Sequence, residues 1–261
     1  ISEEHRFSNH LLNRGMQVAP YFNAAGDTLV EQQGFFVSVQ QRLSGRSPEL
    51  FEPDTQFELG QLIGRLHVEA SGFEFHHRQG YDPITVASIS VALLHAEHFP
   101  KTVLPALYAG YQALLDLAKA RYEQVQPGPF VGLHGDCHLS NILISQAPGL
   151  VDFDDCQLGP AIQDMWMLLS GELSEQRKQL VELIEGYEEY CAFDRTQLAL
   201  IPALRALRFI NYTAWLARRW SEPAFKQAFP WFASEHYWAE QVKETQRLIN
   251  GFEESYDLVQ P

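Results

Sequence analysis

Cysteine is scarce in this chain. Its 261 residues include three, Cys137, Cys156 and Cys191. The number is odd and no C-x-x-C pair occurs, which argues against a disulfide framework or a structural zinc site and leaves reduced, mostly buried thiols. Long apolar runs are also missing. No stretch reaches the ~20 uninterrupted apolar residues that span a bilayer, so no membrane partner is expected. Basic charge is short: 19 Lys and Arg face 33 Asp and Glu, for a net charge of -14. Phosphate backbones need a basic footprint, so nucleic acid is disfavoured as the main partner. A small phosphate-bearing ligand is not, because backbone amides, a few cations and a metal can hold it. The first residues, ISEEHRFSNHLL, are acidic where a secretory signal would be basic. A cytoplasmic, monomeric protein is the expectation. Internal repeats, low-complexity tracts and long flexible linkers are absent as well.

The length allows one large domain or two modest ones. The chain begins at Ile1, and Ser2-Glu3-Glu4 runs straight into a helical pattern, so further residues are expected upstream. Residues 3–14 place Phe7, Leu11 and Leu12 on one helical face, with Glu4 a turn earlier, and Gly15 ends the helix. Residues 16–43 read as strands, notably Thr28–Glu31 after the Gly26-Asp27 turn and the β-branched, aromatic run Gly34–Gln41. Residues 44–48 are a loop. Helical spacing follows at 57–70, through Leu59, Leu62, Ile63, Leu66 and His67. It recurs at 103–123, through Leu107, Tyr111, Leu114, Leu115 and Ala118, until Pro127-Gly128-Pro129 breaks it. Residues 130–133 form a short strand. Helices are expected again at 160–170, 174–191, 195–220 and 235–250, separated by Gly171, Asp194 and the segment 221–234. The division is a small helix-plus-strand piece over 1–45, a hinge near 40–47, and a larger, mainly helical lobe over 46–261.

Residues 134–155, HGDCHLSNILISQAPGLVDFDD, concentrate the polar chemistry. Asp136 and Asn141 stand in the D-x-x-x-x-N spacing of phosphoryl-transfer catalytic loops. Ile142–Ser145 and Gly149–Phe153 can pair as antiparallel strands around a turn at Gln146-Ala147-Pro148. Such a hairpin returns Asp152 toward Asn141, within about 5–8 Å for side chains on neighbouring strands. An amide oxygen and a carboxylate facing one space suit Mg²⁺, a hard cation that takes its remaining ligands from water and substrate phosphates. Asp136, on the loop before the hairpin, can accept a proton from an attacking hydroxyl. Gly135 lets that loop bend without a Cβ clash.

The set His134-Gly135-Asp136-Cys137-His138-Leu139-Ser140-Asn141 followed by Asp152-Phe153-Asp154 resembles the H-G-D-x-H-x-x-N and D-[FWL]-[DEG] motifs of the aminoglycoside phosphotransferase and choline kinase superfamily. The pieces E-E-H-x-F at 3–7, G-P-A-x-Q-D-x-W-M-L-L at 159–169 and R-R-W-x-x-P-A-F at 218–225 are similar to its YihE-type branch, bacterial Ser/Thr protein kinases of the stress response type. The resemblance covers nearly the whole chain. It implies an α+β, protein-kinase-like two-lobed fold, with antiparallel strands in a partial N-terminal lobe and a large helical C-terminal lobe. It implies an ATP- and Mg²⁺-dependent transfer of the γ-phosphoryl group to a hydroxyl of a protein or a small molecule. By the same resemblance Asp136 is the catalytic base, and Asn141 with Asp152 binds magnesium. His138 stands near the transferred phosphate. Glu4 is the helix glutamate that pairs with a nucleotide-binding lysine, and Gln40, Gln41, Arg42 and Leu43 form the hinge that meets adenine. Asp164 buttresses the catalytic loop. The Gly-rich loop and lysine of the family pattern would precede Glu4 and are not in this sequence.

Other readings of these residues stay open at this point. His134, Asp136 and His138 could form a zinc or iron site. His134 could instead hydrogen-bond loop backbone. Asp154 and Asp155 could be solvated or capping carboxylates, or one could assist the metal. Asp164 could simply satisfy backbone donors, and Glu4 the helix dipole. His67, His76 and His77 read as surface or core-edge histidines. Arg205, Arg208, Arg218 and Arg219 read as solvated or salt-bridged, with a docking patch for a negatively charged substrate as the other option. Trp215, Trp220, Trp231 and Trp238 read as packing residues. Two further functions stand beside the protein kinase: a choline-, aminoglycoside- or homoserine-like alcohol kinase, and a pseudokinase scaffold that keeps the fold.

Overall fold

Periodic apolar stripes set most of the helices found in the computed structural model, which describes residues 1–22, 26–49, 54–78, 80, 82–98, 100, 102–254 and 256. In chain order the main elements are α1 (Ser2–Asn13), β1 (Gln17–Val18), β2 (Val30–Gln32), β3 (Phe35–Val37), α2 (Thr55–Glu69), α3 (Pro83–Leu93), α4 (Leu104–Val125), β4 (Val131–Leu133), β5 (Ile142–Ile144), β6 (Pro148–Leu150), β7 (Gln157–Gly159), α5 (Leu173–Glu188), α6 (Ile201–Arg219), α7 (Pro223–Ala228) and α8 (Glu235–Asn250). The chain falls into two compact units, residues 1–81 with 127–197 and residues 82–126 with 198–256. No helix among the described residues is long and apolar enough to cross a membrane.

Among the described residues the first unit carries every strand. β1 runs parallel to β6, which pairs antiparallel with β5; β4 pairs antiparallel with β7; β2 and β3 form a separate hairpin. That hairpin turns through Gln33 and Gly34, both at positive φ, the geometry that matches strand twist in a two-residue turn. The extended segment 40–46 is tied at both ends. Tyr21 bridges Gln40, and Arg46 exchanges backbone bonds with Ile144 at 3.0 and 2.7 Å.

Helices α2 and α5 touch backbone to backbone, and glycines make this possible. A Cβ on Gly60 would lie 2.0 Å from the Leu183 carbonyl oxygen, one on Gly64 2.6 Å from that of Tyr187, and one on Gly186 2.0 Å from that of Phe57. Around this contact the buried stripe Leu59, Leu62, Ile63 and Leu66 faces Leu180, Leu183, Ile184 and Tyr187.

Among the described residues the second unit holds helices and no strand. Its core includes Ala87 and Val91 of α3, Leu107, Tyr111 and Leu114 of α4, Leu207 and Ile210 of α6, and Trp238 of α8. The Tyr111 hydroxyl bonds to Gln241 at 3.0 Å and approaches Thr213 at 3.3 Å inside that core. Trp215 packs edge-on against Phe225, and the Arg219 guanidinium sits 4.2 Å over the Phe225 ring.

Three stretches differ from the sequence reading. α3 was not among the expected helices; Ile84, Thr85, Val86, Ile89 and Val91 are β-branched, which weakens the helical signal. Asp82 starts it by accepting the Thr85 N–H at 3.0 Å, and Pro83 sits at the first turn, where its missing N–H costs nothing. Residues 160–170 are two 3₁₀ turns, 161–164 and 166–168, and not one helix. Ala161 to Trp166 are all buried, so no solvent face remains for a long amphipathic helix. The predicted helix 195–220 begins as a 3₁₀ turn and becomes α6 only at Ile201, with Pro202 in its first turn.

Candidate active site

Strand β4 ends at Leu133, and the next two residues turn their N–H groups inward. Asp164 receives both: Oδ2 accepts from His134 at 2.7 Å and Oδ1 from Gly135 at 2.8 Å. The same Oδ2 lies 3.2 Å from His67 Nε2, and His67 Nδ1 lies 3.0 Å from the Tyr187 hydroxyl. His67 is therefore a buried strut and not a surface or core-edge histidine. Gln163, beside Asp164 on the same 3₁₀ turn, donates from Nε2 to the Gly135 carbonyl at 2.8 Å. Gly135 has φ 91°, and a Cβ there would stand 2.0 Å from the Asp155 carbonyl oxygen, so a side chain has no room.

The His134 ring is fully buried. Its Nε2 lies 2.9 Å from the Val151 carbonyl and its ring centroid 4.6 Å from that of Phe153. Its role is to join the loop to the returning strand. Among the described residues no three His, Cys, Asp or Glu side chains group to hold a metal, which removes the zinc or iron reading of His134, Asp136 and His138.

Asp136 and His138 stand together at the loop tip, Oδ2 to Nε2 3.5 Å, both partly open to solvent. The Asp136 carbonyl accepts the His138 N–H and the Asn141 Nδ2–H, each at 3.0 Å. The Asn141 amide is thereby fixed with Oδ1 on its other side. The hairpin forms as the sequence suggests: Ile142 faces Leu150, and the Val151 N–H donates to the Asn141 carbonyl at 3.0 Å. Asp152 comes next, exposed, at φ 69°, a left-handed conformation that non-glycine residues rarely adopt.

The carboxylates crowd one another. Although Asp155 reaches solvent, its carboxyl is held above the usual range, first by loss of hydration, then by the Asp136, Asp154 and Asp152 charges, with Arg78 opposing. Burial raises the Cys137 thiol well above its ordinary value, and the Asp164 and Asp136 carboxylates raise it further. Burial also pushes Cys156 up to about 12. Both thiols are fully buried and held in the neutral form.

Glu4 is buried on α1. Its Oε1 accepts the Tyr21 hydroxyl at 2.6 Å and its Oε2 lies 3.5 Å from Arg78 Nη2. Burial lifts the Glu4 carboxyl and Asp154 adds to this, while Tyr21 and Arg78 oppose. The cation beside Glu4 is thus an arginine; the sequence holds no lysine before Lys101. Glu3 was not singled out by the sequence reading. It accepts the backbone N–H groups of His76, His77 and Arg78 at 2.7, 3.1 and 2.9 Å. Burial alone would raise its pKa, but these three bonds together hold it below the ordinary range.

Of the expected site residues, Asp136, His138, Asn141 and Asp152 gather at one end of the β5–β6 hairpin. Glu4 reaches that region through Arg78. Gln40 to Leu43 lie along the neighbouring extended segment, where the Gln41 N–H donates to the Pro20 carbonyl at 3.0 Å and Leu43 packs over Gly149 of β6.

Residues 1–201 match the family described as "Phosphotransferase enzyme family". The chain is 38% identical over 244 residues to "Stress response kinase A" of Escherichia coli O157:H7, covering 93% of this chain and 74% of that one. It is 37% identical over 257 residues to "Serine/threonine protein kinase RdoA" of Salmonella typhimurium, with the same coverage of 93% and 74%. The fold is similar to that of an amicoumacin kinase solved with AMP-PNP, Ca²⁺ and amicoumacin, with a TM-score of 0.69 and 17% identity, over 96% of this chain and 76% of that one. The α+β architecture is accordingly that of the aminoglycoside phosphotransferase and protein-kinase-like class, and the chain belongs to the phosphotransferase enzyme family.

Proposed function

We propose that this protein is a cytoplasmic, monomeric kinase that moves the γ-phosphoryl group of ATP to a hydroxyl, with serine or threonine of a protein as the acceptor. The observation that carries the reading is the junction of loop and hairpin: the Asp136 carbonyl holds the Asn141 amide at 3.0 Å, and the Asn141 carbonyl holds the strand that delivers Asp152. The protein acceptor is supported by the names of two relatives at 37–38% identity over 93% of the chain.

In this reading the acceptor oxygen attacks the γ-phosphorus, the bond from that phosphorus to the β,γ-bridging oxygen breaks, and ADP leaves with the electron pair. The acceptor proton goes to the Asp136 carboxylate, which also orients the hydroxyl for in-line attack. His138, with Nε2 3.5 Å from Asp136 Oδ2, stands near the transferred group. Asn141 Oδ1 and the Asp152 carboxylate are two hard oxygen donors, a set that fits Mg²⁺. Bound there, the ion would neutralise charge on the β- and γ-phosphates. Residues 1–45, with Gln40, Gln41, Arg42 and Leu43, serve the nucleotide, and residues 46–261 carry the catalytic loop. Glu4 contributes to nucleotide binding through its ion pair.

The test is Asp136→Asn. Phosphoryl transfer from labelled ATP to a panel of protein and small-alcohol acceptors should disappear, while Mg·ATP binding, read as a thermal shift, stays. Full transfer by the variant would overturn the role of Asp136. Transfer by the native protein to small alcohols alone would overturn the protein acceptor.

A further inference from the structure

Arg78 links helix α1 to the turn that carries Asp152. Its main chain is held on both sides: the N–H donates to Glu3 Oε2 at 2.9 Å, and the carbonyl accepts the Leu158 N–H of β7 at 3.2 Å. Its guanidinium is 24% exposed and lies 3.5 Å from Glu4 Oε2. Nη1 donates to two carbonyl oxygens beyond Asp152, those of Asp154 and Cys156, the latter at 3.1 Å. Glu4 is fixed in turn by the Tyr21 hydroxyl, and His5 stacks on the Tyr21 ring at 3.6 Å.

Asp152 needs such support. A non-glycine residue at φ 69° is strained and persists only where its surroundings over-determine it. Upstream, the Val151 N–H is tied to Asn141. Downstream, the Cys156 N–H donates to the Phe153 carbonyl at 3.0 Å, which closes the turn. The planar guanidinium reaches the carbonyls of both Asp154 and Cys156 while its other nitrogen meets Glu4. An ammonium is a point charge and cannot span the same three acceptors.

The geometry points to Arg78 as a positioning residue for Asp152: with Glu4 as its counter-ion it holds the 152–156 turn, and so the metal-binding carboxylate, in place. This rests on the phosphotransferase reading above. It also gives Glu4 a partner within the present chain. If Arg78 merely tied the 76–78 loop to β7, its loss would lower stability and leave metal dependence alone.

The experiment is a Mg²⁺ titration at fixed ATP, read both as phosphoryl transfer and as the Mg²⁺-dependent thermal shift of the ATP-bound protein, on the full chain and on Arg78→Gln, Arg78→Lys, Glu4→Gln and Asp152→Ala. In Arg78→Gln the half-saturating Mg²⁺ concentration should rise about tenfold or more, the usual scale when support behind a metal ligand is removed. At saturating Mg²⁺ and ATP the loss of rate should be smaller than in Asp152→Ala. Arg78→Lys should fall between, and Glu4→Gln should shift the same way by less. If Arg78→Gln does not fold, Arg78→Lys is judged by the same shift. An unchanged Mg²⁺ midpoint in the folded variants, with Asp152→Ala impaired, sinks the positioning role alone. No Mg²⁺-dependent transfer by the native chain sinks the phosphotransferase reading and this role with it.

Discussion

Asp164→Asn is the most direct probe of how the catalytic loop is held. The wild-type carboxylate is fully buried and gives one oxygen to each of two backbone donors, His134 and Gly135, with His67 sharing the first. An asparagine keeps one acceptor and replaces the other with an N–H₂ group. One loop N–H then faces a donor in a site closed to water. An unsatisfied buried donor costs roughly 1–3 kcal/mol, and a lost bond to a charged acceptor is at the upper end, so about 3 kcal/mol is expected. In a chain of this size that lowers Tm by roughly 6–12 °C. Asp164→Ala strands both donors and should cost more. Asp136 lies one residue beyond Gly135, so a loop that shifts by about 1 Å should also lose on the order of 100-fold in turnover. Stability is read by urea unfolding. The fluorescence of Trp166 is a local reporter, since it is the sole tryptophan of the first unit and sits two residues from Asp164. Wild-type stability together with wild-type turnover in Asp164→Asn would refute the claim that this carboxylate holds the loop.

Two further predictions concern the scaffold. Gly60→Ala places a methyl 2.0 Å from the Leu183 carbonyl oxygen and should destabilise by about 1–3 kcal/mol or more, seen as a lower urea midpoint. An unchanged midpoint would mean that α2 and α5 are not in backbone contact. Glu3 has a folded-state pKa below its unfolded one, so its contribution is full above the unfolded value and is lost as pH falls through the folded value. Stability of the native chain should therefore drop more steeply below about pH 5 than that of Glu3→Gln, in which this titration is absent. Parallel pH profiles would show that the Glu3 clamp on residues 76–78 contributes nothing.

Much of the fold was legible because its signals are local. The stripes through Leu59–Leu66 and Leu107–Ala118 repeat every three to four residues, and both segments are helices. The expected hairpin of two short apolar runs forms, although Pro148, read as part of the turn, opens strand β6 opposite Ile144. Helix α3 was hidden because its β-branched composition weakens the helical signal, while its start depends on one side-chain cap at Asp82. The 160–170 segment was misread because burial on all sides erases the solvent face that periodicity relies on. β7 is three residues long, and its pairing with β4 joins segments about 25 residues apart.

The sequence by itself determined which residues could do chemistry here. Asp136, His138, Asn141 and Asp152 lie within 17 residues of one another, and their spacing along a loop and a hairpin is a property of the chain. Only the tertiary structure decided what holds them. His67, Tyr187, Glu3 and Arg78 come from distant parts of the sequence and carry no local pattern, and Asp164 was expected as a buttress only through the family resemblance. The reason is physical: a catalytic side chain is named by its own chemistry, whereas a support is named by the unsatisfied backbone group or the strained turn it meets after folding, and neither exists until the chain has packed.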